Sequence, residues 1–368
     1  MRPTTPMLTV SQHAEGGEEA EEAGDAGESD EEAATRAGGD RRGSMHGMAS
    51  DCDAPDPFSP TRLGPVTLRN RFVKAATFEG MTGGNRIPEE LIAFHRAVAA
   101  GGTALTTVAF TAVSRDARGA PDELVLTDDV VPQLRRLTDA VHEEGAAVGL
   151  QLGHAGPTAA ATGHPGLAPS RSFSPVAMRF TRALSVDDLR RVREDFVATA
   201  RRAVDAGVDV LELHLGHGYL LSSFLSPKQN TRTDAYGGSV EGRARFPREV
   251  AAAVREAVGD RVAVIAKLNM TDGVPGGLWL DDSLPTARLL QDDGALDALE
   301  LTGGSTHANP MYLFRGDAPV AEMAAAMPLP GPMRIGFAGR PTVLAQLPVR
   351  RGLLPPVRGS SATSSPCR

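Results

Sequence analysis

Residues 214–239 read HLGHGYLLSSFLSPKQNTRTDAYGGS. The stretch begins where an aliphatic run from Val208 ends at His214 and stops where a helical pattern begins at Val240, so it reads as the loop between a strand and a helix. His214, His217 and Tyr219 are bunched at its start. Imidazoles can donate hydrogen bonds to a carbonyl oxygen and a phenol can deliver a proton, which marks this strand end as a candidate catalytic rim. Further on, Arg232, Asp234, Tyr236, Gly237 and Gly238 supply turn chemistry and no obvious reactivity.

Working outward, short β-branched runs alternate with helical patterns from Leu63 onward, the signature of a parallel sheet built from βα units. The pattern predicts strands over Phe72–Ala76, Ala104–Phe110, Ala147–Leu152, Val208–His214, Val262–Leu268 and Ala298–Thr302. Helices are predicted over Pro88–Ala100, Val130–Glu144, Val186–Ala206, Val240–Val258 and Asp282–Asp292, with Ser185 as an N-cap before Asp187 and Asp188. Six units suit an open doubly wound sheet as well as a barrel. Polar residues recur at strand ends, at Gln151, His214, Lys267 and Thr302, and this favours an α/β fold of the TIM-type (β/α) barrel kind with six of eight units recognisable. Period-two alternation puts Ala147 and Gly149 on the face of Gln151, Glu212 on that of His214, and Asn269 on that of Lys267.

The chain has 368 residues, 41% of them hydrophobic, enough for one large barrel domain. Residues 1–50 hold eleven acidic and four basic residues, and their Gly, Ala and acid content cannot offset ordering entropy. Residues 1–52 are therefore expected to be a disordered acidic extension, with Met45 or Met48 as alternative starts. After Ser50 the charge is nearly balanced, which argues against a nucleic-acid partner. No apolar run is long enough for a membrane span and no secretory leader is evident, so a cytoplasmic location is expected. The two cysteines, Cys52 and Cys367, lie near opposite ends and offer no disulfide framework.

PVTLRNRFVKAAT at 65–77, LQLGHAG at 150–156, the His214 segment and VIAKLN at 264–269 occur in order, each at a strand end. In these motifs the chain resembles the old yellow enzyme family of flavin-dependent NAD(P)H oxidoreductases, over roughly Pro57 to Gly304. The His214 segment is the specific motif; the others are weak singly. The resemblance implies FMN as cofactor, NAD(P)H as reductant and a small-molecule substrate. It implies that the backbone of Ala75, Ala76 and Thr77 lies against the flavin ring, that Gln151 hydrogen-bonds the pyrimidine edge, and that Lys267 faces N1 and O2. His214 and His217 match the pair that grips a substrate carbonyl, and Tyr219 the proton donor in hydride transfer to an activated alkene.

Other readings stay open at this level. His214 and His217 would need a third ligand to hold a metal, with His154 the nearest candidate, and Lys267 could serve a Schiff-base barrel. Phe78 stands where some relatives carry a small polar residue, and Gly242 where Asn is common. Residues 53–304 are expected to form the first six barrel units, and 305–368 an irregular tail unlike the family. RIGFAGRPTVLAQLP at 334–348 is slightly similar to an eighth-strand phosphate motif through Gly339, Arg340 and Pro341, but the seventh unit is not recognisable. A barrel without its last two units would lack the usual phosphate site, so a non-catalytic, weakly FMN-binding chain is the alternative expectation.

Overall fold

The computed structural model describes residues 55–307, apart from 160–162, 164 and 176. The segment 1–52 lies outside the described residues, and of 305–368 only 305–307 are described. Six parallel strands form the path of the main sheet, with the two-residue strand Leu124–Val125 paired beside the end of the second: β1 (Val73–Lys74), β2 (Leu105–Ala112), β3 (Ala147–Gly153), β4 (Val210–Leu215), β5 (Ala263–Asn269) and β6 (Ala298–Thr302). Helices α1 (Glu89–Ala100), α2 (Val131–Glu143) and α3 (Val186–Asp205) follow the first three strands. After β4 come the short α4 (Leu220–Leu225) and α5 (Val240–Val258), and after β5 comes α6 (Leu280–Asp293).

The strands are hydrogen-bonded in the order 1-2-3-4-5-6. A doubly wound sheet reverses its order at a switch point; this one never does. The open alternative is thereby resolved in favour of the (β/α) barrel, of which these six units form the curled part. Strands β2 to β5 are buried along their length, and such strands read as near-continuous aliphatic runs, which is why they were legible.

Two apolar cores result. The larger lies between the strands and the helices; Leu189, Val192, Phe196, Ala200 and Ala203 of α3 line its face at helical spacing. Helix α3 starts as its sequence predicts: Ser185 Oγ accepts from the Asp188 N–H at 3.2 Å, and Asp188 Oδ2 accepts from the Ser185 N–H at 2.9 Å, a capping box. The smaller core lies inside the curl. There Val73, Leu105, Ala147, Val210, Ala263, Ile265 and Ala298 meet Leu63 and Leu68 of an N-terminal hairpin, Thr61–Leu63 paired with Val66–Leu68. The hairpin plugs the N-terminal end of the barrel and leaves chemistry to the other end.

Three differences from the sequence reading have local causes. Strand β1 is shorter than Phe72–Ala76, because the backbone leaves the ladder after Lys74 pairs with Thr106. The loop after β4 is interrupted by α4, whose side chains are all buried, with the Phe224 ring tilted against Phe246 at 4.9 Å. Helix α6 begins at Leu280, two residues before the expected Asp282. No helix among the described residues is long and apolar enough to cross a membrane.

Candidate functional site

Strand alternation and register build the site in tiers on the inner face. Gln151 stands opposite Glu212; His214 opposite Lys267, and Lys267 opposite Glu300; Asn269 opposite Thr302. Below them Gly149 leaves room for its neighbour, since a Cβ there would come within 2.7 Å of Thr107 Oγ1.

The lower polar tier is one network. Gln151 Nε2 donates to Glu212 Oε1 at 2.5 Å, Lys267 Nζ lies 3.4 Å from the same oxygen, and Lys267 also donates to Glu300 Oε1. Gln151, Lys267 and Glu212 are all nearly or fully buried. Burial pushes the Glu212 carboxyl up to about 8; Lys267 acts in the opposite direction and is outweighed. Glu212 therefore carries a proton at neutral pH. Its Oε2 has no hydrogen-bond partner among the described residues.

The upper tier is a ring cluster. His214 lies edge-on to His217 and Tyr219, with centroids 5.1 and 4.9 Å away, and Phe110 packs on Tyr219 at 5.2 Å. His217 Nδ1 is 3.4 Å from His214 Nε2, and its Nε2 is 2.7 Å from Thr302 Oγ1. Its backbone is left-handed, φ 61°, followed by Gly218 at φ 74°, and its N–H donates to Asn269 Oδ1 at 3.4 Å. A non-glycine residue held in that region is strained, and it turns the imidazole back over the strand ends.

Burial, then the neighbouring His217 and Lys267, hold His214 well below the ordinary imidazole range, and burial followed by Lys267 takes His217 down to about 4. Burial, then Glu123, pushes the Tyr219 phenol up to about 12. At neutral pH the cluster consists of two neutral imidazoles and a protonated phenol. Nearby Glu123, buried and accepting from the Gly119 N–H at 2.6 Å, is pushed up to about 7 by burial.

The His214–Ser239 loop that carries the cluster is tied down by its own residues. Arg232 donates to the carbonyls of Pro169 and Leu184 at 3.1 and 2.6 Å and pairs with Asp234; Asn230 Nδ2 bridges the carbonyls of Phe224 and Tyr236, each at 2.8 Å. Gly237 is required, since a Cβ there would lie 2.2 Å from the Arg232 carbonyl oxygen.

The structure thus joins Gln151 and Lys267 in one network and His214, His217 and Tyr219 in one cluster. Ala75, Ala76 and Thr77 lie apart from both, on the backbone beyond β1, half-buried to exposed. Glu300 escaped the sequence reading; its alternation with Thr302 on a predicted strand was the available signal. His154, the third ligand of the metal reading, is buried beyond the end of β3 with its Nδ1 accepting from the Gly156 N–H at 3.0 Å. Among the described residues no three His, Cys, Asp or Glu side chains gather to hold a metal. Lys267, the nucleophile of the Schiff-base reading, donates to Glu300 and lies 3.4 Å from the Glu212 carboxyl.

The donor set fits a flavin. A pyrimidine edge presents carbonyl oxygens, N1 and an N3–H; Gln151 supplies a side-chain carbonyl to accept and Lys267 an ammonium to donate, and Ala75 and Ala76 offer a small-residue surface. The phosphate-binding segment expected of the last two units lies outside the described residues.

Comparison with known proteins agrees. The chain is 52% identical over 307 residues to a 4,4'-dithiodibutanoate disulfide reductase of Rhodococcus erythropolis, covering 82% of this chain and 76% of that one. It is 36% identical over 274 residues to an NADPH dehydrogenase of Listeria innocua, covering 72% and 78%. The solved old yellow enzyme homologue from Zymomonas mobilis superposes with a TM-score of 0.61 at 28% identity, over 68% of this chain and 74% of that one. The sequence pattern of the NADH:flavin oxidoreductase / NADH oxidase family matches residues 56–294, and the chain belongs to this old yellow enzyme family as an FMN-dependent NAD(P)H oxidoreductase.

Proposed function

We propose that this enzyme reduces small activated alkenes of the enone type, with His214 and His217 gripping the substrate carbonyl and Tyr219 supplying the proton. The observation that carries the reading is the convergence of two neutral imidazoles and a protonated phenol above the polar tier. FMN held at Gln151, Lys267 and the Ala75–Thr77 backbone, once reduced by NAD(P)H, supplies a hydride. Imidazole N–H groups polarise the carbonyl and draw electron density from the β-carbon, which accepts the hydride. The alkene π pair moves to the α-carbon, which takes the Tyr219 proton, and solvent restores it. The neutral state of both imidazoles suits them as donors whose strength does not change across the physiological range.

One observation favours a second substrate class, an organic disulfide: the relative that shares 52% identity is named for one. The described residues contain no cysteine, so thiol–disulfide exchange has no relay among them. Hydride would go directly to one sulfur and break the S–S bond, giving a thiol and a thiolate that Tyr219 or solvent protonates. Anaerobic incubation of the full chain with FMN and NADPH, against 2-cyclohexenone and against 4,4'-dithiodibutanoate, separates the two by product analysis. Cyclohexanone formation supports the alkene reading; thiol formation with no alkene turnover replaces it with the disulfide reading. A cytoplasmic location is part of the same proposal.

A further inference from the structure

A second, half-buried ionic cluster lies outside this site, beneath the stretch that follows β1. The β1–β2 ladder ends at Lys74 and Thr106, so Ala75–Phe78 run on without a ladder partner among the described residues. Lys74 and Glu79 bracket this stretch. Lys74 Nζ donates to Glu79 Oε1 at 2.6 Å and to the Thr107 carbonyl at 3.1 Å. Glu79 Oε2 accepts from the Ala109 N–H at 3.2 Å, where the register of β2 against β3 shifts between Val108 and Thr111. His95 of α1, with no solvent exposure, places Nε2 3.6 Å from Glu79 Oε1 while its Nδ1 lies 2.8 Å from Thr106 Oγ1. Glu79 is thus held from β1 by Lys74 and from β2 by the Ala109 N–H, with the His95 ring of the covering helix alongside.

The charges are matched to this placement. Burial alone would raise the Glu79 carboxyl, but His95 and Lys74 more than offset it and hold it below the usual range; burial holds His95 below its own. The cluster sets an ionised Glu79 carboxylate against Lys74 Nζ, with a neutral imidazole beside it. Removing one partner of such a pair leaves a poorly solvated charge without its counter-ion, so moving the chain segment it clasps costs the ion pair.

We propose that Lys74, Glu79 and His95 are positioning residues for the cofactor: they clasp the ends of the ladderless stretch and fix the Ala75–Thr77 backbone at the height where the flavin ring packs. The inference rests on the reading of Ala75–Thr77 as the ring bed. None of the three touches the ring; they act through the backbone between them, and small misplacements of such a surface weaken binding and catalysis.

The test is FMN titration of the full-length apoprotein, followed by fluorescence quenching, beside the thermal midpoint of the apo form. Glu79→Ala should weaken FMN binding by about tenfold or more. Glu79→Gln, which keeps an acceptor for the Ala109 N–H but loses the charge opposite Lys74, should fall between it and the wild type. Should Glu79→Ala fail to fold, the apolar pair Lys74→Met with Glu79→Leu removes the clasp without stranding a charge and should show the same loss. Gln151→Ala is the reference, since it tests the ring site and not the clasp. Glu79 variants that bind FMN like the wild type, or that lower only the thermal midpoint, while Gln151→Ala weakens FMN, overturn the clasp and leave the ring site standing. Wild-type protein that takes up no FMN overturns the bed and the clasp with it.

Discussion

Glu300 faces Lys267 across one strand pair and converts an isolated buried cation into an ion pair. A reduced flavin gains negative charge along the edge that Lys267 is proposed to meet, so an uncompensated cation there stabilises the reduced form. Glu300→Gln removes the opposing charge. The midpoint potential of bound FMN should therefore rise, by about 30 mV or more, equivalent to about 1.4 kcal/mol for two electrons. Equilibration with a reference dye measures it, and an unchanged or lower potential would disprove the pairing's role. At this scale the legible residues were those whose type alone signals chemistry. His214, His217 and Tyr219 stood together at a strand end, and Gln151 and Lys267 each closed an aliphatic run. Glu300 sat inside a five-residue strand with no motif around it, and the Lys74, Glu79 and His95 cluster joins residues on different elements, a relation that neither periodicity nor spacing encodes.

Among the elements, α4 decides where the ring cluster points. Tyr219 is its N-cap residue, and Phe224 anchors the helix against Phe246 of α5 with no exposure. Phe224→Ala should destabilise the protein by about 3–5 kcal/mol through the cavity it leaves, and should disturb Tyr219 as well. A denaturant titration measures the first effect; a loss below about 1 kcal/mol would mean that α4 is held by its loop alone. The capped start of α3 was legible because Ser185 and its acidic first turn are a local signal. The existence of α4 was not, because a six-residue apolar helix shows too little periodicity to separate from a buried loop. A second element contact gives a pH test. His142, at the end of α2, pairs with Asp209 at 2.7 Å, while Asp209 also accepts from the Val148 N–H of β3 at 2.7 Å. The Asp209 hydrogen bond raises His142 above its ordinary 6.5. A group raised on folding adds stability that is complete below the unfolded value and disappears as pH rises through the folded value. His142→Gln should therefore lower the thermal midpoint at pH about 5.5 more than at pH about 8.5. An equal loss at both would show that the contact acts by packing and not by charge.

For the molecule as a whole, the sequential strand order and the inner plug set the polarity of the barrel. The N-terminal hairpin inserts Leu63 and Leu68 among the first inward-facing residues, so the opposite end is left to polar side chains. The strands were legible as aliphatic runs and the barrel as polar residues at their ends, but the plug was not, since two three-residue strands carry too little pattern. In the proposed function the ring cluster above the polar tier handles the substrate and the network below it handles the cofactor. Anaerobic stopped-flow reoxidation of reduced, FMN-loaded enzyme by 2-cyclohexenone tests this division most directly, comparing the wild type with His214→Ala. His214→Ala should slow reoxidation by about two orders of magnitude or more while FMN content and reduction by NADPH stay near wild type. Reoxidation at the wild-type rate, or loss of FMN from the His214→Ala protein, would contradict it.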